Sequence, residues 1–205
     1  MTSVTIAEGV TEIGSSAFYG ATALISIDFS HATSLKTIGM SAFYEATALT
    51  SVTLPEGLET IDNYAFYKAT ALTSVTLPEG LETIDNYAFQ DATALTSVTI
   101  PSSVKTIGEE AFGDSGLTSA SVPVCTDIGT SAFPSTTTVS KYLARGCLDQ
   151  FTHAHTYAQM ASFLTTEELK AAYSSATGNP IDIDLSQFSL EELKAAYRAT
   201  GACPN

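Results

Sequence analysis

Residues 46–66 read ATALTSVTLPEGLETIDNYAF, and residues 69–89 read the same twenty-one letters again, with Tyr67 and Lys68 alone between the copies. A catalytic pocket needs its residues once, so a passage spelled twice points to a repeated unit of architecture. Outward from these copies, the dipeptide Ala-Phe marks a register at Phe18, Phe43, Phe66, Phe89, Phe112 and Phe133, in steps of 25, 23, 23, 23 and 21 residues. Each unit opens on apolar residues three and then two apart: Leu49, Val52, Leu54; Leu72, Val75, Leu77; Leu95, Val98, Ile100. Met1, Val4 and Ile6 open the first unit, and Leu117, Ala120 and Val122 the sixth.

No single unit can enclose Leu58, Ile61, Ala65 and Phe66 on both sides. Six stacked units bury them in continuous columns and let each opening strand pair with its neighbours in a parallel sheet. Pro55, Pro78 and Pro101 end the strand, because proline brings no N–H to a ladder, and Gly57 and Gly80 supply the turn. The expected fold class is an α/β repeat: a parallel-sheet solenoid of six coils of about 23 residues over 1–139, followed by a C-terminal α-helical region over 140–205.

The stretch LTSVTLPEGLETIDNYAFYKATA resembles the BspA-like leucine-rich repeats, whose pattern is L-x-x-[IV]-x-[IL]-P-x-x-[LV]-x-x-I-x-x-x-A-F. The resemblance spans residues 1–139, in several adjacent copies. It implies a non-catalytic leucine-rich repeat solenoid, of a kind usually found on the surface of bacteria or protists and often an adhesin or a binder of host proteins. That family has no catalytic residues to carry over.

Eight Lys and Arg stand against twenty-two Asp and Glu, a formal net charge of −14. Such a surface repels phosphate backbones, which argues against nucleic acid as a partner, and it keeps a sheet-rich molecule soluble. No apolar run approaches the roughly 18 residues of a membrane span. MTSVTIAEGV carries neither the basic nor the apolar segment of a signal peptide. Location is therefore left open by the residues, although the resemblance points to the cell surface or to secretion.

On the opening strand the third and fifth positions face away from the core. They read Ser51/Thr53, Ser74/Thr76 and Ser97/Thr99 in the central units, with Ser3/Thr5, Ser26/Asp28 and Ser119/Ser121 on either side. On the concave face of a solenoid these form an uncharged hydroxyl ladder, the expected contact surface for a protein or glycan ligand. The function expected is a non-enzymatic, adhesin-like binding module. The alternative is a structural protein assembling end to end, because Val4, Ile6 and the edge groups of the first coil have no preceding coil to cover them. A second copy would then give dimers or filaments.

No nucleophile with its base, P-loop or glycine-rich nucleotide fingerprint stands in the chain, so no catalytic residue and no cofactor is expected. Glu56, Glu59 and Asp62 recur as Glu79, Glu82 and Asp85, and these columns read as a solvated face rather than a calcium site. DIDLSQFSLEEL, from Asp182, lacks the glycine and the bidentate glutamate of a calcium loop. His153 and His155 have no third ligand near them, so no metal site is expected. Cys125 aligns with Leu58 and Val104 and reads as a buried small hydrophobe. Cys147 and Cys203 bracket the tail and would bridge in an oxidising compartment.

In that tail, Tyr157, Met160, Ala161 and Leu164 have helical spacing, as do Leu169, Ala172, Tyr173 and Ala176. Thr165 with Glu168 and Ser189 with Glu192 are capping boxes, and EELKAAY occurs at 167–173 and again at 191–197. Three short helices are expected, serving as a cap on the solenoid or as a docking module.

Overall fold

The computed structural model describes residues 1–142, which form six coils of a parallel β-solenoid with two short strands per coil. In chain order these are β1 (Ser3–Thr5) and β2 (Glu12–Ile13), β3 (Ser26–Asp28) and β4 (Thr37–Ile38), β5 (Ser51–Thr53) and β6 (Thr60–Ile61), and β7 (Ser74–Thr76) and β8 (Thr83–Ile84). The last two coils hold β9 (Ser97–Thr99) and β10 (Thr106–Ile107), then β11 (Ser119–Pro123) and β12 (Asp127–Ile128), and β13 (Thr138–Tyr142) follows.

The even-numbered strands form one unbroken parallel sheet, in the order β12-β10-β8-β6-β4-β2. Its register keeps like on like: Thr37, Thr60, Thr83 and Thr106 align, as do Ile38, Ile61, Ile84 and Ile107. Each of those isoleucines is fully buried, so a two-residue strand suffices to place one core side chain per coil.

The opening strands differ from expectation. They do not run on as one ladder but break into β1-β3, β5-β7 and β13-β11-β9. Coils 3 and 4 are joined on this side by Thr73 N–H to the Thr50 carbonyl at 2.9 Å and Leu54 N–H to the Thr76 carbonyl at 3.1 Å. Between coils 4 and 5 the equivalent bonds, from Thr96 to Thr73 and from Leu77 to Thr99, are not made. The sheet of even-numbered strands holds these two coils together behind the break, at Thr83↔Thr106.

The third side of each coil is built from the turn that carries Ala-Phe. Tyr64, Phe66 and Lys68 donate their N–H groups forward to the carbonyls of Asn86, Ala88 and Gln90, at 3.1, 2.7 and 2.9 Å. Between them Ala65 and Tyr67 donate back within the coil, to the carbonyls of Asp62 and Tyr64. This alternation needs left-handed residues at two places per turn. They recur at Ser41 and Glu45, Tyr64 and Lys68, and Tyr87 and Asp91, all with φ between 55° and 60°. Left-handed backbone costs a non-glycine residue about 1–2 kcal/mol, and three forward bonds per coil offset it.

Inside, Phe18, Phe43, Phe66, Phe89, Phe112 and Phe133 stack in one column with centroids 5.1–5.3 Å apart. Leu49, Leu72 and Leu95 are fully buried at the head of their strands. The turn glycines serve close approach rather than unusual φ. A Cβ on Gly80 would lie 2.6 Å from the Glu56 carbonyl oxygen, and one on Gly57 would lie 3.0 Å from that of Thr33.

Two further expectations change. Ile6 is buried and Val4 half-buried, although β1 is the edge strand, because both pack down onto the second coil through the pairing Val4↔Ile27. Cys125 is only half-buried and is disulfide-bonded, so it is no inert core residue. It lies two residues before β12, as Leu58 and Val104 lie two residues before β6 and β10, so the alignment with them holds while their full burial does not extend to it. Cys147, Cys203, His153, His155, Asp182 and the expected tail helices lie outside the described residues. By backbone packing the chain divides into two units: 1–121 with 126–139, and 122–125 with 140–205.

Candidate binding surface

The six residues singled out on the opening strands, Ser51, Thr53, Ser74, Thr76, Ser97 and Thr99, are all exposed, while the residue between each pair points inward. Ser51 sits beside Ser74 and Thr53 beside Thr76, and Ser97 and Thr99 sit beside Ser119 and Ser121. The structure thus divides what the sequence presents as one ladder into three blocks, two of which hold these six residues. In the second coil Asp28 takes the threonine place, and its carboxyl is held below the usual carboxylate range, first by the backbone N–H of Ser30.

Where β7 and β9 part, a cleft of about 350 Å³ opens. Ser74, Thr76, Ser97 and Thr99 line it, with Val75, Leu77 and Pro101 among them. Val75 and Leu77 are half-exposed, whereas Val52 and Leu54, their equivalents one coil earlier, are buried. The cleft therefore combines hydroxyl walls with an apolar floor. Glu79 stands at its foot and accepts from the N–H and Oγ of Ser102, at 3.2 and 2.8 Å.

The acidic columns are largely occupied by neighbours. Glu59 pairs with Lys36 at 2.7 Å and Glu82 with Lys105 at 2.8 Å. Asp62 and Asp85 each accept the N–H of the asparagine that follows, Asn63 and Asn86. Among the described residues no group of three or more His, Cys, Asp or Glu is placed to hold a metal ion.

Sequence reasoning missed a second repeated feature, on the Ala-Phe side. Tyr19, Tyr44 and Tyr67 stack at 4.6 and 4.7 Å, and Tyr64 stacks on Tyr87 at 4.8 Å. Tyr64 also meets Tyr67 edge-on at 5.7 Å, which joins the two rows. The Lys68 ammonium lies 5.3 Å from the centre of the Tyr67 ring and 3.7 Å from Glu45. Burial within the row pushes the Tyr44 and Tyr67 phenols above their usual range, and the charge of Glu109 does the same to Tyr87. The signal was present in the letters, since tyrosines flank Ala-Phe in successive units.

The profile described as BspA type leucine rich repeat region matches residues 11–140 in six copies. Among solved structures, a leucine rich repeat protein of T. pallidum is 26% identical and superposes with a TM-score of 0.55, over 67% of this chain and 72% of that one. A leucine rich cell surface protein of Faecalibacterium prausnitzii is 24% identical with a TM-score of 0.43, over 70% of this chain and 61% of that one. No curated protein matches the sequence.

Proposed function

The chain belongs to the BspA-type leucine rich repeat family, and from that premise we propose that it is a non-enzymatic binding module whose contact surface is the Ser/Thr face of the opening strands. Its focus is the cleft between β7 and β9, and its ligand is a polar, extended one, a glycan or a protein segment. The observation that carries this reading is the conjunction at the cleft of four exposed hydroxyl residues, an apolar floor and strand edges that do not bond each other. A volume of about 350 Å³ falls at the small end of ligand sites, which run from roughly 300 to 1,000 Å³ and join apolar surface to a few polar groups. Hydroxyls both donate and accept, and unpaired backbone on facing strands adds directional partners.

No side chain within the cleft supplies a nucleophile with an adjacent base, and leucine-rich repeats generally act through binding rather than catalysis. A glycan array and a peptide array, read with the full chain, test the reading. Thr76→Arg and Thr99→Arg, which fill the cleft with bulk and charge, should each abolish the signal, and Thr5→Arg, outside it, should not. Binding that survives both cleft substitutions removes this surface from consideration.

A further inference from the structure

We propose that the tyrosine-bearing side of coils 1–4 is a second docking surface, fitted to a Lys- and Arg-rich segment of a partner polypeptide. It is distinct from the Ser/Thr strands, since it lies on the turn side of each coil. The rows of Tyr19, Tyr44 and Tyr67, and of Tyr64 and Tyr87, stack ring on ring. Ring faces inside the rows are therefore covered, and apart from Tyr19, which ends its row and is 56% exposed, the rows offer phenol edges and hydroxyls to solvent. That geometry is poor for a sugar, which stacks on an open aromatic face. It is good for donor-rich side chains, which can bond the hydroxyl oxygens and lay their aliphatic stems along the ring edges.

The charge around the rows chooses the sign of the partner. Glu45, Asp91, Glu109 and Glu110 flank the tyrosines, and the one cation beside them among the described residues, Lys68, is already engaged with Glu45 and the Tyr67 ring. The local field shows in the groups themselves: Lys68 is held above its usual value, first by Tyr67, and Tyr87 by Glu109. An incoming segment must bring cations to this surface, and tyrosine anchors them with little loss of side-chain freedom. Structural duty alone does not account for the rows, because the inner phenylalanine column already stacks the same turns.

The test uses a labelled peptide of alternating Arg and Ser, followed by fluorescence anisotropy on the full chain. Substitutions come from the chain's own coils. Tyr44→Gln and Tyr67→Gln copy Gln90, and Tyr64→Ser and Tyr87→Ser copy Ser41. None of the four alters net charge at neutral pH, so a loss of affinity is not a loss of bulk attraction. The combined variant should bind about tenfold or more weakly, as expected when interface aromatics are removed. Glu8→Gln with Glu56→Gln, which removes two exposed charges elsewhere, should change affinity by less than about threefold. If the combined variant does not fold, Glu45→Gln with Asp91→Asn replaces it and should show the same loss. Affinity unchanged in the tyrosine variant, or lowered equally by the Glu8/Glu56 pair, means that net charge alone holds the peptide and overturns the proposal.

Discussion

Replacing Phe66 with alanine tests the solenoid at its centre. The ring is fully buried between Phe43 at 5.2 Å and Phe89 at 5.1 Å. Removing a buried Phe costs about 3–5 kcal/mol, and where a site falls in that range depends on how far its walls can collapse. Here they are pinned: Phe43 N–H bonds the Ala65 carbonyl at 2.8 Å and Phe66 N–H bonds that of Ala88 at 2.7 Å, fixing the spacing of coils 2, 3 and 4. The hole should stay open, placing the cost near 5 kcal/mol. Phe18, half-buried and stacked on one ring at 5.1 Å, should cost roughly half as much. Urea melts followed by far-UV circular dichroism measure both. Because each coil touches only its neighbours, the Phe66 variant should also lower the slope of the transition, as coils on either side of the gap begin to melt separately. A Phe66→Ala cost below about 1.5 kcal/mol, or one equal to that of Phe18→Ala, would refute the pinned column.

Ser131 is exposed at φ 53°, so Ser131→Gly should stabilise the chain by about 0.5–1 kcal/mol in the same urea melts, the relief of left-handed strain less the added freedom of the unfolded chain. The raised phenols of Tyr44, Tyr67 and Tyr87 bind their protons more tightly folded than unfolded; their contribution to stability is full below pH 10.0 and is lost as pH rises past it. Absorbance at 295 nm should thus show part of the tyrosine titrating late and together with unfolding, whereas ionisation of all tyrosines near pH 10 in the folded state would refute it. Mass spectrometry of the unreduced protein should find Cys125 in a cross-linked peptide and a single free thiol; three free thiols would refute the bond.

What the sequence disclosed and what it withheld divide along physical lines. The Ala-Phe register, the buried leucines that head the opening strands and the proline stops were legible because each follows from one residue meeting its copy one coil away. The split of the opening strands was not, since ALTSVT is identical in coils 3, 4 and 5 and yet coils 3 and 4 pair while 4 and 5 part. What differs is the turn that follows: PEGLE becomes PSSVK, and Ser102 is drawn to Glu79. The left-handed turn positions were hidden for another reason. They hold Ser, Glu, Tyr, Lys and Asp rather than glycine, and only the forward hydrogen bonds between coils explain why the backbone tolerates them. The burial of Ile6 was not legible because it depends on packing against the second coil, which the letters of the first do not show.

The places where the repeat is not copied also follow from stacking. Exact copies put each side chain about 4.8 Å from its twin, which helps a phenylalanine or a tyrosine and harms a charge, as like charges facing each other across paired strands do. Two charged columns break the copy accordingly, although Glu56/Glu79 and Asp62/Asp85 do not. Lys36, Glu59, Glu82 and Lys105 are equivalent positions in successive coils, and each glutamate turns to the lysine on its outer side, away from the other glutamate. Glu45, Lys68 and Asp91 alternate in sign, with Lys68 3.7 Å from Glu45. Neutral positions escape this constraint, and the Ser/Thr strands and the tyrosine rows repeat without alternation over several coils. A linear ligand meets the same group at regular steps only on such columns. Surface repetition that charge does not forbid is therefore where a solenoid of this kind can offer multiple equivalent contacts, and the two proposed surfaces are exposed neutral columns of this kind.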